Sequence, residues 1–185
     1  TALFVVSGLP ASGKSTLASA LARELGVAHL DKDTFLEVLL SQTPVLVPAE
    51  RAALSRQADA QFQDQALRLS AAVLSSWWRH PQSKHESGTP IGWLSACGHR
   101  VVEVHCQCPA PEALRRFTAR KRHPGHLDAL RSLEGLRTQF EESESHGPLF
   151  PGHAIVYNTG TQGANASLAG LVEQVRQRIT AASAP

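Results

Sequence analysis

The hydrophobic positions of the chain form two alternating patterns. Five short apolar runs are typical of buried parallel strands. They lie at residues 2–7, 27–31, 71–78, 100–106 and 153–159. The first run, ALFVVS, is apolar on both faces, which is the pattern of a central strand.

Segments with helical spacing of apolar residues lie between these runs. From Lys14 to Leu25, Leu and Ala recur at intervals of three and four residues, and Gly26 ends the helix. Asp33 or Thr34 is expected to cap a second helix. Further helices are predicted over about residues 49–70, 91–96, 109–122, 127–144 and 167–180. This alternation predicts an α/β fold, a parallel sheet with helices on both faces, in a single domain over residues 1–185.

The loop after the first strand matches the phosphate-binding pattern G-x-x-x-x-G-K-[ST] in full. Its residues, with the one that follows, are Gly8, Leu9, Pro10, Ala11, Ser12, Gly13, Lys14, Ser15 and Thr16. The glycines allow backbone angles and close approaches that a Cβ would block, so successive N–H groups can point at a bound phosphate. Lys14 is expected to reach the β and γ phosphate oxygens, and the Ser15 hydroxyl to ligate Mg²⁺. The loop therefore predicts binding of a nucleoside triphosphate, namely ATP with Mg²⁺.

The loop alone does not distinguish phosphate transfer from hydrolysis or from simple binding. The D-x-x-G and N-K-x-D strings of the switch GTPases do not occur in the sequence. The third predicted strand ends in Ser75-Ser76-Trp77, without the acidic pair of the large motor ATPases. By elimination we expect an ATP-dependent kinase whose acceptor is a small molecule. One alternative is a kinase whose acceptor is a nucleoside or nucleotide. The other alternative is a regulatory or partner module that binds ATP without phosphotransfer.

Composition and charge add limits on partners and location. Of the 185 residues, 42% are hydrophobic and 18% are charged, which is typical of a folded globular chain. The net charge of +2 gives no argument for binding to nucleic acid or to a membrane surface. Three cysteines without C-x-x-C spacing do not suggest a disulfide framework or a structural zinc site. With no apolar segment long enough to span a membrane and no leader pattern, we expect a cytoplasmic protein, a monomer or a homodimer.

Three segments together carry a family resemblance. They are GLPASGKST in the loop, HLDKD at the end of the second strand, and RRFTARKRHPGH in the later helical region. With them the chain resembles the small P-loop kinases, in particular the AAA-domain group related to chloramphenicol phosphotransferase, zeta toxins and gluconate kinase. The resemblance implies a three-layer fold with five strands in the order 2-3-1-4-5. It also implies the use of ATP and Mg²⁺ and a mobile, arginine-bearing lid around residues 115–128.

Asp31 and Asp33 lie at the carboxyl end of the second strand, the edge of an open α/β sheet where ligands bind. In similar kinases an Asp here accepts the proton of the acceptor hydroxyl or aligns that hydroxyl with the γ-phosphate, and we assign this role to Asp33. Asp31 is a candidate metal ligand beside Ser15. Lys32, between the two aspartates, is expected to face solvent. The alternative for Asp33 is that it only caps the helix that follows.

Arginines on the predicted helix over 109–122 are the candidates for the lid. Arg116 and Arg120 are four residues apart and therefore share a face of that helix, with Arg122 as the next candidate. Brought over the triphosphate, they would neutralise charge that develops on the transferred phosphoryl group. The alternative is a basic helix face that only contacts water.

Two further segments lie at the predicted ligand edge of the sheet. Related kinases often carry an Asp at the end of the third strand that helps to hold Mg²⁺, and this chain has none there. Trp77 and Trp78 follow instead, and they either line an acceptor pocket or pack against the long helix over 49–70. The turn at residues 158–160 follows the last strand, where similar kinases place backbone near the adenine.

Overall fold

The five predicted strands form one parallel sheet in a computed structural model, which describes residues 1–45, 47–161 and 167–180. The strands are β1 (Ala2–Gly8), β2 (Ala28–Asp31), β3 (Ala71–Ser75), β4 (Arg100–Gln107) and β5 (Ile155–Asn158). Their order across the sheet is β2-β3-β1-β4-β5, so the predicted fold class and strand order are confirmed.

Six α-helices connect or follow the strands within the described residues. They are α1 (Lys14–Leu25), α2 (Lys32–Gln42), α3 (Pro48–Arg68), α4 (Ala110–Ala119), α5 (Leu133–His146) and α6 (Leu168–Thr180). Short 3-10 helices lie at Gly92–Ser95, Pro124–His126 and Asp128–Leu130. No helix in these parts of the chain combines the length and apolarity that a membrane crossing requires.

The largest difference from prediction concerns the chain between α4 and α5. The predicted helix over 109–122 ends at Ala119, because Arg120 has extended backbone angles. The predicted helix over 127–144 begins only at Leu133. Leu127 has a left-handed φ of 56°, which an α-helix does not accept, and Ser132 then caps α5 by accepting the N–H of Gly135 at 3.1 Å.

The sheet has an apolar layer on each face because successive side chains of β1 point to opposite sides. Phe4 and Val6 pack in the layer that includes α1 and α6. Leu3 and Val5 pack in the opposite layer, which includes Phe62 of α3. All five side chains are almost completely buried, so β1 is the central strand in packing as well as in order.

The strand register brings the candidate residues to one edge of the sheet. Asp31 of β2 is paired with Ser75 of β3, and Ser75 is paired with Val6 of β1. On the other side, Gly8 is paired with Cys106 of β4. The phosphate-binding loop, the Asp31–Asp33 segment and the end of β3 are therefore neighbours at the carboxyl edge, where α/β proteins bind ligands.

Candidate functional site

The phosphate-binding loop has the backbone geometry that its glycines predict. Gly8 and Gly13 have positive φ angles of 127° and 93°. A Cβ on Gly8 would lie 2.5 Å from the carbonyl oxygen of Cys106, so the close approach of β1 to β4 requires glycine here. Ala11, at the tip of the loop, also has a positive φ, of 60°. The loop is thus built on local backbone conformations that only a few residue types accept.

Two buried polar groups in this loop fit a bound phosphate. The Nζ of Lys14 donates to the carbonyl of Leu9 at 2.6 Å. Burial lowers the pKa of Lys14 to about 8, and the carboxylates of Asp33 and Asp31 offset part of this effect. The Oγ of Ser12 is buried without a hydrogen-bond partner in the described structure. A phosphate group would give Ser12 an acceptor and Lys14 a counter-charge, so the residues present fit a triphosphate.

Asp31 and Asp33 have different local roles. Asp31 is the N-cap of α2, and its Oδ1 accepts the N–H of Asp33 at 3.0 Å. The expectation that Asp33 or Thr34 caps this helix is therefore wrong. The Asp33 side chain, which is about half exposed, is free of the capping role and available to a ligand.

Asp33 contacts an arginine from the segment after α4. The guanidinium of Arg122 donates to Oδ2 of Asp33 at 2.5 Å and also lies 3.3 Å from Asp128. Burial favours the neutral carboxyl, but the charges of Arg122, His126 and Lys32 outweigh it and hold the pKa of Asp33 below its ordinary value. Asp33 is therefore ionised at neutral pH, as an acceptor of a hydroxyl hydrogen bond must be.

Lys32 does not face solvent, and that expectation is wrong. Its side chain is 8% exposed, and its Nζ donates to Ser55 Oγ at 2.6 Å and lies 3.7 Å from Asp59. Asp59 also accepts from Thr89 Oγ1 at 2.7 Å, so the ion pair belongs to a polar network beside β3. Both Ser55 and Asp59 come from α3, which the sequence around Lys32 does not reveal.

Arg116 and Arg120 do not share a helix face, because α4 ends before Arg120. The structure therefore does not bring the two together as predicted. Arg120 lies over the Phe117 ring, with its guanidinium carbon 4.6 Å from the ring centroid, and its charge acts on Lys14. Arg116 instead donates to Glu112 of its own helix at 2.5 Å and to the carbonyl of Thr159 at 3.0 Å. In this conformation Arg116 supports the turn after β5.

That turn lies beside the phosphate-binding loop. The Cβ of Thr159 is 3.8 Å from the position that a Cβ on Gly13 would take. Gly160 donates its N–H to Oδ1 of Asn158 at 2.8 Å, and Thr161 donates to Glu112. The contact of this turn with adenine stays a prediction. The hydrogen bonds of Gly160 and Thr161 fix the turn beside the phosphate-binding loop.

The two tryptophans differ in burial and in neighbours, although both line one cavity. Trp78 is 4% exposed, packs against Phe62 of α3 with ring centroids 5.8 Å apart, and donates its Nε1–H to the carbonyl of Val6 at 3.0 Å. Trp77 is partly exposed, and both tryptophans line a cavity of about 180 Å³ above the ends of β1 and β4. The guanidinium carbon of Arg131 lies 5.9 Å from the Trp77 ring centroid. Trp78 thus packs against α3, as one alternative predicted, and the lining of an acceptor pocket stays a prediction.

A buried cluster beneath this cavity escaped the sequence analysis. Ser7 Oγ donates to Glu103 at 2.5 Å and lies 2.9 Å from His105 Nδ1. Because the hydroxyl proton goes to Glu103, His105 Nδ1 carries the proton of the second bond. Glu103 also accepts the N–H groups of Leu149 and Phe150, each at 2.8 Å. The only sequence signal was a charged residue within the otherwise apolar pattern of β4.

His126 is a second functional candidate that the sequence analysis missed. Its Nε2 is 3.1 Å from Glu37 of α2. The side chain is fully buried, and it joins the segment after α4 to the helix that carries Asp33. No group of three or more His, Cys, Asp or Glu in the described ranges is arranged to bind a metal by itself.

Residues 3–142 match the model of the AAA domain family. No curated protein sequence matches the chain. A candidate kinase from Chloroflexus aurantiacus J-10-fl has 22% identity and a TM-score of 0.72, with 97% of this chain and 96% of that chain covered.

Two further solved structures are similar over nearly their whole length. Shikimate kinase from Bacteroides thetaiotaomicron has 14% identity and a TM-score of 0.57, with 97% of this chain and 98% of that chain covered. A gluconokinase from Sinorhizobium meliloti 1021 has 18% identity and a TM-score of 0.53, with 96% and 97% covered. At these identities the likeness shows a shared fold, which is the fold that the sequence resemblance implied. With the family model matched over residues 3–142, the chain belongs to the AAA domain family.

Proposed function

We propose that this chain is an ATP-dependent kinase that transfers the γ-phosphoryl group to a hydroxyl or phosphate of a small molecule. The observation that carries the proposal is the placement of Lys14 and Asp33 at one edge of the sheet. Lys14 closes the loop that follows β1, and Asp33 follows β2, whose Asp31 is paired with Ser75 of β3, the strand next to β1. A phosphate cradle and an ionised carboxylate at one edge are the two parts that phosphoryl transfer requires.

On the nucleotide side, the loop amides and Lys14 would hold the phosphates. Ser15 is exposed at the first turn of α1 and Asp31 lies partly exposed at the end of β2, so these two residues would hold Mg²⁺. The metal supplies neutralisation of phosphate charge when it is bound. Arg116 donates to the carbonyl of Thr159 and so supports the turn after β5, which lies on this same side of the loop.

On the acceptor side, Asp33 binds the attacking hydroxyl and accepts its proton. Its Oδ1 has no role in the contact with Arg122, which uses Oδ2, so one oxygen stays available to the hydroxyl. Arg120, which follows the end of α4, stabilises negative charge on the transferred group. The segment around residues 115–128 acts as a lid, because it carries Arg120 and Arg122 at this edge of the sheet.

One observation favours the alternative of a regulatory module that binds ATP without phosphotransfer. β3 ends at Ser75, whose Oγ lies 2.9 Å from His29 Nε2, and no carboxylate occupies the position where related kinases often have one. In the kinase that we propose, Asp31 compensates for this difference because it is paired with Ser75 in the sheet.

Product formation distinguishes the two functions. The purified protein is incubated with Mg²⁺ and ATP labelled at the γ-phosphate, over a panel of hydroxylated and phosphorylated small molecules. We expect a labelled product that disappears in the Lys14→Ala variant. Tight ATP binding with no product across the panel would favour the regulatory module. Inhibition by a compound that joins two nucleosides through several phosphates would identify a nucleotide acceptor.

A further inference from the structure

A chain of hydrogen-bonded side chains ends at the cavity above β1 and β4. Glu103 is almost completely buried and accepts three hydrogen bonds, from the hydroxyl of Ser7 and from the backbone N–H groups of Leu149 and Phe150. Because Ser7 gives its only hydroxyl proton to Glu103, its oxygen is the acceptor in the 2.9 Å contact with Nδ1 of His105. The ring proton of His105 therefore lies on Nδ1.

The other ring nitrogen of His105 is an acceptor without a partner. The ring lines the cavity, and 15% of the side chain is exposed. Within the described residues, Nε2 takes part in no hydrogen bond. Burial lowers the pKa of His105 to about 4, so the ring is neutral and Nε2 keeps its lone pair at neutral pH. His105 thus presents a hydrogen-bond acceptor in a fixed tautomer to a molecule in the cavity.

Several other polar groups around the cavity already have partners. His80 donates its Nε2–H to the carbonyl of Pro148 at 3.0 Å, and His85 lies 3.4 Å from Glu142. The Nε of Arg79, which also lines the cavity, is a buried donor without a partner in the described structure. An unpaired acceptor and an unpaired donor are complementary to a hydroxyl group, which both donates and accepts.

Apolar surface adjoins His105 in the same cavity. Val156 of β5 is paired with His105 across the sheet, so the two side chains share a face of the sheet. Val156 is 53% exposed and lines the cavity together with Leu149 and Trp77. The polar Nε2 is therefore bordered by side chains that favour an apolar ligand surface.

We propose that this cavity binds a molecule with an apolar body and a hydroxyl group, and that the hydroxyl donates to Nε2 of His105. Glu103 and Ser7 are positioning residues, since they hold the ring proton on Nδ1 and so keep Nε2 free to accept. Neither Asp33 nor Lys14 is among the described residues that line the cavity. The site is thus separate from the carboxylate of the proposed kinase, and the proposal does not rest on that function.

Nitrogen NMR of protein with isotope-labelled histidine tests the tautomer without any ligand. The signals of His105 are identified by their absence from the His105→Phe variant. We expect the proton on Nδ1 in the wild type at neutral pH, and we expect it to move to Nε2 in at least part of the Ser7→Ala molecules. A wild-type ring with its proton on Nε2 would overturn the proposal.

Cyclohexanol and cyclohexanone are matched probes of the cavity, because only the alcohol can donate a hydrogen bond. Each is titrated into the nucleotide-free wild type, His105→Phe and His153→Phe, and binding is followed through the backbone amide resonances. His153 is exposed and serves as the control position. We expect the wild type and the control to bind the alcohol about three- to tenfold more tightly than the ketone. In His105→Phe the ratio should fall to about one.

Phenol and fluorobenzene form a second pair, and tighter binding of phenol than of cyclohexanol would identify an aromatic body. The Nε2 resonance of the wild type should shift with either alcohol and not with its matched control, a measurement that needs no variant. Absence of binding by both cyclohexanol and phenol, or an equal preference for the alcohol in His105→Phe, would overturn the proposal. Because no nucleotide is present, these results are independent of the test for a labelled product.

Discussion

Arg122 and Asp33 form an ion pair of 2.5 Å between the segment after α4 and the first turn of α2. The contact joins the arginine-bearing segment to the residue that we propose as the acceptor-binding carboxylate. It holds the Asp33 side chain over the sheet edge while one carboxylate oxygen stays available.

Replacement of Asp33 by Asn should reduce phosphoryl transfer by about 10²- to 10⁴-fold, because an amide cannot accept the hydroxyl proton. Affinity for ATP should change little, since Asp33 does not belong to the loop. Single-turnover transfer and nucleotide titration measure the two effects separately. Asp64→Asn is the control, because Asp64 is exposed on α3. Unchanged turnover in Asp33→Asn would refute the assignment.

Replacement of Arg122 by Gln should move the acid limb of the kcat–pH profile to higher pH. Asp33 must be ionised to act, and its pKa is held below the ordinary value chiefly by the charge of Arg122. Without that charge burial dominates, the pKa rises, and activity is lost at a higher pH as the solution is acidified. We expect a shift of about one pH unit or more, measured over pH 4–8. An acid limb at the same pH would show that another group controls it.

Lys14 should make ATP binding dependent on pH. Its pKa in the free protein is about 8, and the phosphates favour the charged form, so binding takes up a proton above that pH. Affinity should fall by up to about tenfold per pH unit between pH 8 and pH 9.5. Calorimetry in two buffers of different ionisation enthalpy measures the proton uptake directly. Lys14→Ala should abolish both the proton uptake and ATP turnover, whereas Lys121→Ala, at an exposed position, should retain them.

Lys32 should contribute to stability through its buried contact with Asp59. Lys32→Ala leaves that carboxylate without its cation, and we expect a loss of about 3 kcal/mol in the free energy of unfolding. Urea denaturation measures this loss. The double variant Lys32→Met with Asp59→Asn removes both charges and should recover part of the stability. A Lys32→Ala variant as stable as the wild type would show that the ion pair with Asp59 does not stabilise the fold.

His105 should make the fold sensitive to acid. Burial lowers its pKa to about 4, below the ordinary value of 6.5, and the charges of Lys14 and His80 act in the same direction. Between these values the unfolded chain binds the proton and the folded chain does not, so stability is complete above about pH 6.5 and declines toward pH 4. The expected loss is about 3 kcal/mol over this range. His105→Gln should show a smaller decline in chemical denaturation at pH 4, 5 and 6.5.

The phosphate-binding loop could be predicted because its determinants are local. Gly8, Gly13 and Lys14 are adjacent in sequence, and the strand before them and the helix after them are visible from hydrophobic spacing alone. The strand order is implied by the family resemblance, and the observed sheet has that order. Where the residues that determine a local structure are adjacent in sequence, the sequence is sufficient to predict that structure.

The environments of Lys32 and Arg116 could not be predicted because their partners are distant. Asp59 lies on the next helix, and Thr159 follows the last strand of the sheet. Nothing in the residues around Lys32 distinguishes a lysine that faces water from one that is buried by α3. The same reason explains Trp77 and Trp78, which have the same side chain but different neighbours.

Glu103 has a mechanical consequence for the whole site. Its carboxylate joins Ser7, just before the phosphate-binding loop, to the backbone of Leu149 and Phe150, just after α5. These hydrogen bonds tie the strand that leads into the loop to the chain just after α5. We therefore expect any movement of the proposed lid to pivot at the ends of its own segment, after Ala119 and before Leu133, while the chain on the Glu103 side keeps its position.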